Sequence, residues 1–282
     1  MELVVLSGKG GTGKTTIATS LAELAGDVVR IDCDVDAPNF YMFYEGKDIE
    51  KNEFSGGKKA IIDKSLCVEC GNCETVCRFD AIKNSKIDPF SCEGCGACVL
   101  VCTEKAISLK DEKTADTFIT QLDKGIISRA QMEIGSDGSG RLVSYLRKNG
   151  KKFTPNEKLI ISDGSPGIGC SVIASITGSD AVLIVTEPTK SGLEDLMRVV
   201  LLCEHFGVFT MVCINKFDIN EEISDKIEEF IKEKELFLAG KIPYDDIVIK
   251  SINELKPIIQ YADSKAGSAI KEMWHNIKGS IY

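Results

Sequence analysis

Short apolar runs alternate with longer amphipathic segments along most of the chain. The apolar runs predict strands at Leu3–Leu6, Val28–Cys33, Lys158–Ser162, Ala181–Thr186, Phe209–Ile214 and Leu236–Lys241. The amphipathic stretches predict helices at Lys14–Ala25, Ser191–His205 and Glu221–Glu235. Strands this apolar are buried on both faces, and helix-length connections favour parallel pairing. The pattern therefore predicts an α/β fold with a doubly wound, mostly parallel sheet, in which ligands bind at the carboxyl ends of the strands.

The loop after the first predicted strand is rich in glycine and reads GKGGTGKTT over residues 8–16. Such a loop lets backbone N–H groups surround phosphate oxygens at the start of a helix. Lys14 is expected to place its charge on the β- and γ-phosphates of ATP, and the Thr15 hydroxyl to bind Mg²⁺. A glycine-rich turn without a ligand is the simpler alternative. The expected nucleotide-binding residues are Gly8, Gly10, Gly11, Thr12, Gly13, Lys14, Thr15 and Thr16.

A second lysine, Lys9, precedes Lys14 in this loop. With it, the loop resembles that of the deviant Walker A ATPases, which include MinD, ParA and the nitrogenase iron protein. The resemblance covers nearly the whole chain outside a cysteine-rich segment. It implies an ATP-hydrolysing P-loop enzyme that forms an ATP-dependent homodimer. In such a dimer Lys9 contacts the phosphates bound by the partner subunit, so the resemblance implies a catalytic role for Lys9 beside Lys14.

An acidic loop follows the second predicted strand in VVRIDCDVDAPN. Carboxylates at a strand end can hold Mg²⁺ through water and orient the attacking water. By similarity to the switch I segment of the family, Asp34 is expected to take this catalytic and metal-binding role, with Asp32 or Asp36 in support. For Asp36 alone, a turn or helix cap is the more ordinary interpretation.

Two more residues at strand ends extend the expected nucleotide site. Asp163 follows an apolar strand in LIISDGSPGIGC and resembles the switch II aspartate that bonds a magnesium-bound water. Asn215 ends the strand in VCINKFD, where related ATPases place an asparagine that recognises adenine. The later segment GKIPYD resembles the part of those ATPases that packs on the base. A strand-end asparagine is otherwise an ordinary turn residue.

A cysteine segment in the middle of the chain is repeated. CVECGNCETVCRFDAI (67–82) and CEGCGACVLVCTEKAI (92–107) are identical at eight of sixteen positions, including all four cysteines. Two C-x2-C-x2-C-x3-C runs form the pattern of two-cluster ferredoxins, in which the fourth cysteine of each run binds the other cluster. The spacing predicts two 4Fe-4S clusters. One is expected on Cys67, Cys70, Cys73 and Cys102, and the other on Cys92, Cys95, Cys98 and Cys77.

Zinc is the main alternative occupant of these cysteines. Zinc also takes four thiolates, but usually from two separated C-x2-C pairs, and disulfides are unusual in a reducing compartment. Cys77 is followed by Arg78, and Cys102 by Thr103, where bacterial ferredoxins usually have proline. The missing prolines leave the cysteine ligands intact, and we expect them to alter the rigidity of the loop, the access of solvent to the cluster and its reduction potential.

The cysteine repeat lies between the two acidic loops. A linker-like NEFSGGKK (52–59) leads into it, and a polar KDEKTAD (110–116) leads out. This order predicts a ferredoxin-like α+β domain at 53–113, inserted into a discontinuous ATPase domain at 1–52 and 114–282. By this layout the chain is identified as a member of the MinD-superfamily ATPases that contain an inserted ferredoxin domain.

Composition limits the kinds of partner. The net charge of −9 argues against non-specific binding to nucleic acid, which needs a basic surface. No apolar run approaches the length of a membrane span, and the chain has no signal peptide, so we expect a cytoplasmic protein. The C-terminal AGSAIKEMWHNIKGSIY has helical spacing of apolar residues but few cations, which favours docking on the sheet over membrane binding.

Four cysteines lie outside the repeats. Cys33, Cys203 and Cys213 fall in apolar patterns and are expected to be buried thiols. Cys170 falls in the switch II loop, at a position that resembles a cluster cysteine of the nitrogenase iron protein. The second cysteine that such a bridging cluster needs is missing. A redox-sensitive thiol is the hypothesis that remains for Cys170.

Three functions fit this combination of motifs. The first is an ATP-gated electron carrier, in which ATP binding closes a dimer and changes the exposure or potential of the clusters. The second is an Fe–S cluster carrier or assembly ATPase, which would resemble the Mrp-type ATPases. The third is a MinD/ParA-like positioning switch with structural or sensory clusters. Electron transfer is preferred because closed four-thiolate sites suit holding a cluster, and the redox or client protein is not identified by the sequence.

Overall fold

The computed structural model describes residues 1–136, 138–154 and 158–281. The chain forms two compact units. The first comprises Met1–Lys51, Thr117–Gln131 and Gly138–Tyr282, and the second comprises Asn52–Asp116 and Met132–Asp137.

The strands are β1 Glu2–Ser7, β2 Val28–Asp32, β3 Gly46–Ile62, β4 Ile82–Lys83, β5 Lys86–Ile87, β6 Ile107–Leu122, β7 Gly125–Met132, β8 Ile160–Pro166, β9 Ala181–Thr186, β10 Phe209–Asn215 and β11 Phe237–Ile242. The α-helices are α1 Lys14–Ala25, α2 Asn72–Val76, α3 Ala97–Val101, α4 Gly140–Lys151, α5 Cys170–Ile176, α6 Lys190–Phe206, α7 Glu221–Glu233, α8 Ile247–Asn253 and α9 Lys265–Ile281. Short 3-10 turns lie at Phe40–Phe43, Phe217–Ile219 and Ile258–Gln260.

The main sheet has the strand order β11-β10-β9-β1-β8-β2-β7-β6-β3. Neighbouring strands from β11 to β7 pair in parallel. In β1, Leu3 and Val5 pack on the side of α1 and α9, whereas Val4 and Leu6 pack on the side of α5 and α6. Both faces of the strand are buried because helices cover both sides of the sheet. The predicted mostly parallel α/β fold is therefore confirmed.

The C-terminal helix α9 docks on this sheet, as its apolar spacing predicts. Ile270, Met273 and Ile277 are almost fully buried in the same core cluster as Leu3. No helix within the described residues is long and apolar enough to cross a membrane.

The flanks of the cysteine repeat differ from the prediction. NEFSGGKK and KDEKTAD, expected to be linker-like and polar connections, lie within the strands β3 and β6. These strands run antiparallel, since Asp48 bonds to Thr120 (2.5 Å) near one end of the pair and Asp63 bonds to Ala106 (2.7 Å) at the other. The sequence prediction was wrong here because a paired strand satisfies its backbone through its neighbour and needs no apolar run of its own.

The second unit repeats one local structure twice. Helices α2 and α3 each begin after a glycine with a left-handed backbone, Gly71 (φ 78°) and Gly96 (φ 80°). Each helix carries the third cysteine of its run, Cys73 or Cys98, and both cysteines are buried. A residue with a Cβ would be strained at these φ values, which explains why both runs have glycine there.

Candidate functional site

The glycine-rich loop joins β1 to α1 at the carboxyl edge of the sheet. Gly11 (φ 82°) and Gly13 (φ 89°) have left-handed backbones that favour glycine. A Cβ on Gly13 would also lie 2.4 Å from Nδ2 of Asn215, so the loop and the end of β10 pack in direct contact. The Asn215 amide donates to the carbonyl oxygen of Thr12 (2.7 Å). The fold therefore joins two parts of the predicted nucleotide site that lie about two hundred residues apart in the sequence.

Lys14 is buried at the start of α1 and lies between two carboxylates. Its Nζ is 2.6 Å from Oδ1 of Asp163 and 3.5 Å from Oδ2 of Asp34. The Thr15 hydroxyl donates to the other oxygen of Asp163 (2.7 Å). Burial alone would lower the pKa of Lys14, but the charges of Asp163 and Asp34 outweigh burial and raise the pKa above its ordinary value. Lys14 is therefore a cation at neutral pH, as phosphate binding requires.

The three aspartates of the first acidic loop lie in different environments. Asp32 is fully buried and accepts from the backbone N–H of Phe40 (3.1 Å), while its Oδ1 has no hydrogen-bond partner among the described residues. Burial and the neighbouring charge of Asp163 raise the pKa of Asp32 well above its usual range. Asp34 is half-buried, and burial raises its pKa although Lys14 opposes the change.

Asp36 is exposed, and it accepts a hydrogen bond from the backbone N–H of Gly138 (2.8 Å). Of the three, Asp34 is the one whose carboxylate forms an ion pair with Lys14.

Lys9 is directed at its own chain. Its Nζ lies 2.7 Å from Oε1 of Glu187, 3.2 Å from Oγ1 of Thr189 and 3.1 Å from Oγ of Ser191. The sequence prediction did not include these three partners. They follow β9 at the same carboxyl edge as the loop, so the rule that sites form at strand ends could have drawn attention to them.

A cavity of about 260 Å³ opens beside the loop and extends over apolar side chains. Asn215 and Lys216 border it on one side, and Ile242, Val248 and Ile258 on another. Its lining combines glycines of the loop with apolar side chains, which would suit an uncharged heterocycle next to bound phosphates. The GKIPYD segment supplies Ile242, Pro243, Tyr244 and Asp245 to this lining.

Two cavities in the second unit are lined by the eight repeat cysteines. One is small, about 20 Å³, and is bordered by Cys67, Cys70, Cys73 and Cys102. The other, also about 20 Å³, is bordered by Cys77, Cys92, Cys95 and Cys98. Each cavity thus takes three cysteines from one run and the fourth cysteine of the other run, which is the grouping expected from the spacing.

Backbone N–H groups approach two of these sulfurs. Ala106 donates to Sγ of Cys102 (3.3 Å), and Ala60 donates to Sγ of Cys92 (3.5 Å). Burial raises the pKa of the Cys73 and Cys98 thiols. Within the described residues, no three His, Cys, Asp or Glu side chains converge closely enough to hold a single metal ion.

The other cysteines separate by exposure. Cys33, Cys203 and Cys213 are fully buried, and burial raises the pKa of the Cys203 thiol to about 11. Their predicted burial is confirmed. Cys170 is exposed at the first residue of α5. None of the twelve cysteines, all of which lie in the described part of the chain, forms a disulfide.

A parallel α/β sheet with a glycine loop, a buried lysine and acidic strand ends defines the class of P-loop nucleotide-binding proteins. Residues 3–258 match the family described as the CobQ/CobB/MinD/ParA nucleotide binding domain, and the chain belongs to this family. It is therefore a P-loop ATPase of the MinD/ParA type.

Full-length relatives are found in archaea. The chain is 36% identical over 285 residues to an uncharacterized protein of Methanocaldococcus jannaschii, covering 100% of this chain and 98% of the relative. It is 27% identical to an uncharacterized ATP-binding protein of the same organism, covering 97% and 96%. A solved structure of the septum site-determining protein MinD with Mg-ADP from Pyrococcus horikoshii aligns with a TM-score of 0.59 at 17% identity, covering 98% and 96%, which shows a shared fold.

Proposed function

We propose that this chain is a MgATP-hydrolysing iron–sulfur protein that couples ATP-dependent dimerisation to electron transfer through two 4Fe-4S clusters. The observation that carries the proposal is the pair of cysteine cavities, each bordered by four cysteines in the crossed grouping. The second part of the proposal is an ATP site formed by the glycine loop and the strand ends around it.

In this proposal the loop backbone and Lys14 bind the phosphates of ATP. Thr15 and Asp163 already share a hydrogen bond and would hold Mg²⁺ and its water shell. The unpartnered buried oxygen of Asp32 fits a water of that shell, because a buried carboxylate oxygen without a partner is costly. Asp34 orients the attacking water, since it is half-buried and lies beside Lys14.

Two further residues complete the proposed ATP site. Asn215 and the apolar cavity next to it receive the adenine base. Lys9 contacts the phosphates bound by a second copy of the chain, as the family resemblance implies, so the active form is a homodimer.

We prefer four-iron clusters to zinc because the cysteines have the C-x2-C-x2-C-x3-C spacing of two-cluster ferredoxins. A zinc ion requires four thiolates that converge on one point, whereas in a four-iron cluster each thiolate binds a different iron. When bound, such clusters supply one-electron transfer at low potential.

The chain itself contributes thiolates and the Ala106 and Ala60 N–H groups beside the sulfurs. Hydrogen bonds to cluster sulfurs are one of the ways in which proteins tune reduction potential. The proposed ferredoxin-like domain at 53–113 corresponds closely to the main segment of the second unit, Asn52–Asp116.

A second candidate is a MinD/ParA-like switch in which the clusters are structural or sensory. The likeness of the fold to MinD supports it. An Mrp-like carrier role has less support, because Cys73, Cys92 and Cys98 are buried and a delivered cluster must leave its ligands readily.

Anaerobic purification followed by iron and sulfide analysis tests the proposal. Two clusters require about eight iron atoms and as many sulfides per chain, and a zinc protein would contain neither in that amount. EPR spectra of the dithionite-reduced protein, recorded with and without MgATP, separate the two candidates. A change in spectrum or midpoint potential with MgATP supports electron transfer, and indifference to MgATP supports structural clusters.

A further inference from the structure

The ammonium of Lys9 is fully bonded within its own chain. A lysine ammonium has three N–H donors, and three acceptors surround it: Glu187 Oε1, Thr189 Oγ1 and Ser191 Oγ. Lys9 and Glu187 are only 30% and 18% exposed at their side chains, so the pair is partly shielded from water. Lys9 must break these three contacts before it can reach a phosphate on another subunit.

Of the three acceptors around the Lys9 ammonium, Glu187 is the one whose negative charge stabilises a cation there. Thr189 caps α6 by accepting from the backbone N–H of Gly192 (2.9 Å), so Lys9 lies against the N-terminal end of a seventeen-residue helix. The positive end of a helix dipole repels a lysine. Without the carboxylate of Glu187, the two hydroxyls alone would hold a cation in an unfavourable field.

The same carboxylate has a second cationic partner. Nζ of Lys216 lies 3.4 Å from Oε2 of Glu187, and Lys216 also borders the apolar cavity. Burial would raise the pKa of Glu187, but Lys9 and Lys216 outweigh burial and hold the pKa below its usual range. Glu187 is therefore ionised at neutral pH and available to Lys9.

We infer that Glu187 is a positioning residue that retains Lys9 on its own subunit and thereby sets the threshold for ATP-dependent dimerisation. The inference rests on the proposed role of Lys9 at the dimer interface. Because a dimer needs Lys9 to be released in both subunits, the effect of Glu187 enters the dimer dissociation constant twice. A loss of about threefold per subunit, typical of a partly exposed ion pair, becomes roughly tenfold in that constant.

The test compares Glu187→Gln with a matched control, Glu222→Gln. Both changes keep the side-chain shape. Glu187→Gln removes the pairs with Lys9 and Lys216, and Glu222→Gln removes the pair with Lys226 on an exposed face of α7. Sedimentation with Mg²⁺ and the non-hydrolysable analogue AMPPNP should show a roughly tenfold lower dimer Kd for Glu187→Gln. The control should match the unmodified protein. An unchanged Kd in Glu187→Gln would overturn the inference.

A second measurement reports on Lys9 directly. Acylation of lysines by N-hydroxysuccinimidyl acetate without nucleotide, followed by mass spectrometry, should label Lys9 faster in Glu187→Gln than in the unmodified protein, with Lys226 as internal reference. Glu187→Asp keeps the carboxylate and should restore part of the protection. Equal Lys9 labelling in all three proteins would also overturn the inference. A general loosening of the structure would speed the labelling of many lysines, whereas loss of the Glu187 contact should speed that of Lys9 selectively.

The variant Lys9→Ala separates this inference from the role on which it rests. Lys9→Ala should bind MgATP but fail to dimerise or turn over, and adding Glu187→Gln should change neither result. If Lys9→Ala dimerises normally, the proposed intersubunit role is wrong whatever Glu187 does. If Lys9→Ala fails to dimerise while Glu187→Gln behaves as the unmodified protein, only the inference about Glu187 is wrong.

Discussion

Lys14 and Asp163 form a buried ion pair with a separation of 2.6 Å, although they are 149 positions apart in the sequence. Lys14 begins α1 and Asp163 lies in β8, next to β1 in the sheet. If Lys14 binds phosphate as proposed, phosphate oxygens and the Asp163 carboxylate would compete for one ammonium. In the proposed ATP site we expect bound nucleotide to separate Asp163 from Lys14, while the hydrogen bond from Thr15 to Asp163 is already present.

The first prediction concerns this ion pair. Lys14→Met should abolish nucleotide binding and lower the free energy of unfolding by about 3 kcal/mol, because a carboxylate is left buried without its cation. The double variant Lys14→Met/Asp163→Asn removes both charges and should recover most of that stability, but it should still fail to bind nucleotide. Urea unfolding and equilibrium binding of a fluorescent ATP analogue measure the two effects. A single variant as stable as the unmodified protein would contradict the prediction.

The second prediction concerns catalysis by the first acidic loop. Asp34→Ala should bind MgATP with nearly unchanged affinity and hydrolyse it about a hundredfold more slowly, because the group that orients the attacking water is lost. Asp36→Ala is the matched comparison, since Asp36 bonds to the Gly138 backbone and does not contact Lys14. Single-turnover hydrolysis measures both variants. Normal hydrolysis by Asp34→Ala with slow hydrolysis by Asp36→Ala would move the role to Asp36.

The elements that the sequence predicted well are those set by local pattern. The alternation of Leu3, Val4, Val5 and Leu6 between two core clusters follows from strands buried on both faces. The glycine loop is recognisable from the sequence because its glycines, Lys14 and Thr15 each match a requirement of phosphate and Mg²⁺ binding that is met within the loop itself. The cysteine spacing predicts the ligands of two clusters; the cysteines that border each cavity have the same grouping, and the clusters themselves stay a prediction.

The features that the sequence did not reveal depend on pairing between distant segments. β3 and β6 form a ladder whose polar composition resembles that of linkers, and only their mutual hydrogen bonds make them strands. Glu187 was missed for a similar reason, because a glutamate after a strand has no distinctive pattern until Lys9 is seen beside it. Long-range partners of single charged residues cannot be deduced from periodicity.

The third prediction concerns the crossed cysteine grouping. Cys102→Ser should lose the cluster of the first cavity and about half of the bound iron, although Cys102 belongs to the second run. Cys77→Ser should lose the other cluster, and each variant should keep a distinct EPR spectrum of the cluster that remains. Cys170→Ser, which changes an exposed cysteine outside the repeats, is the control and should keep all of the iron. Full iron content in Cys102→Ser would rule out the crossed assignment.

The last prediction concerns stability and pH, and it involves a buried network away from the nucleotide loop. Glu2 in β1 is almost fully buried and accepts two hydrogen bonds from Arg147 in α4 (2.7 and 2.8 Å), and Lys151 lies 2.9 Å away. Burial would raise the pKa of Glu2, but Arg147 and Lys151 outweigh burial and hold the pKa below its ordinary value of 4.5. A carboxylate with a lowered pKa in the folded state stabilises the protein above its unfolded pKa.

That contribution is lost as pH falls from about 4.5 through the lower folded pKa, because the unfolded chain then binds a proton that the native carboxylate does not. Glu2→Gln should be less stable than the unmodified protein by about 3 kcal/mol at neutral pH, since Arg147 is left buried without its anion. The difference should shrink in acid, where protonated Glu2 resembles glutamine. Urea unfolding at about pH 7 and about pH 4 measures the trend. The control Glu222→Gln, at an exposed position, should change the free energy of unfolding little at either pH. If the loss of stability in Glu2→Gln is the same at both pH values, packing rather than the ion pair holds β1 to α4.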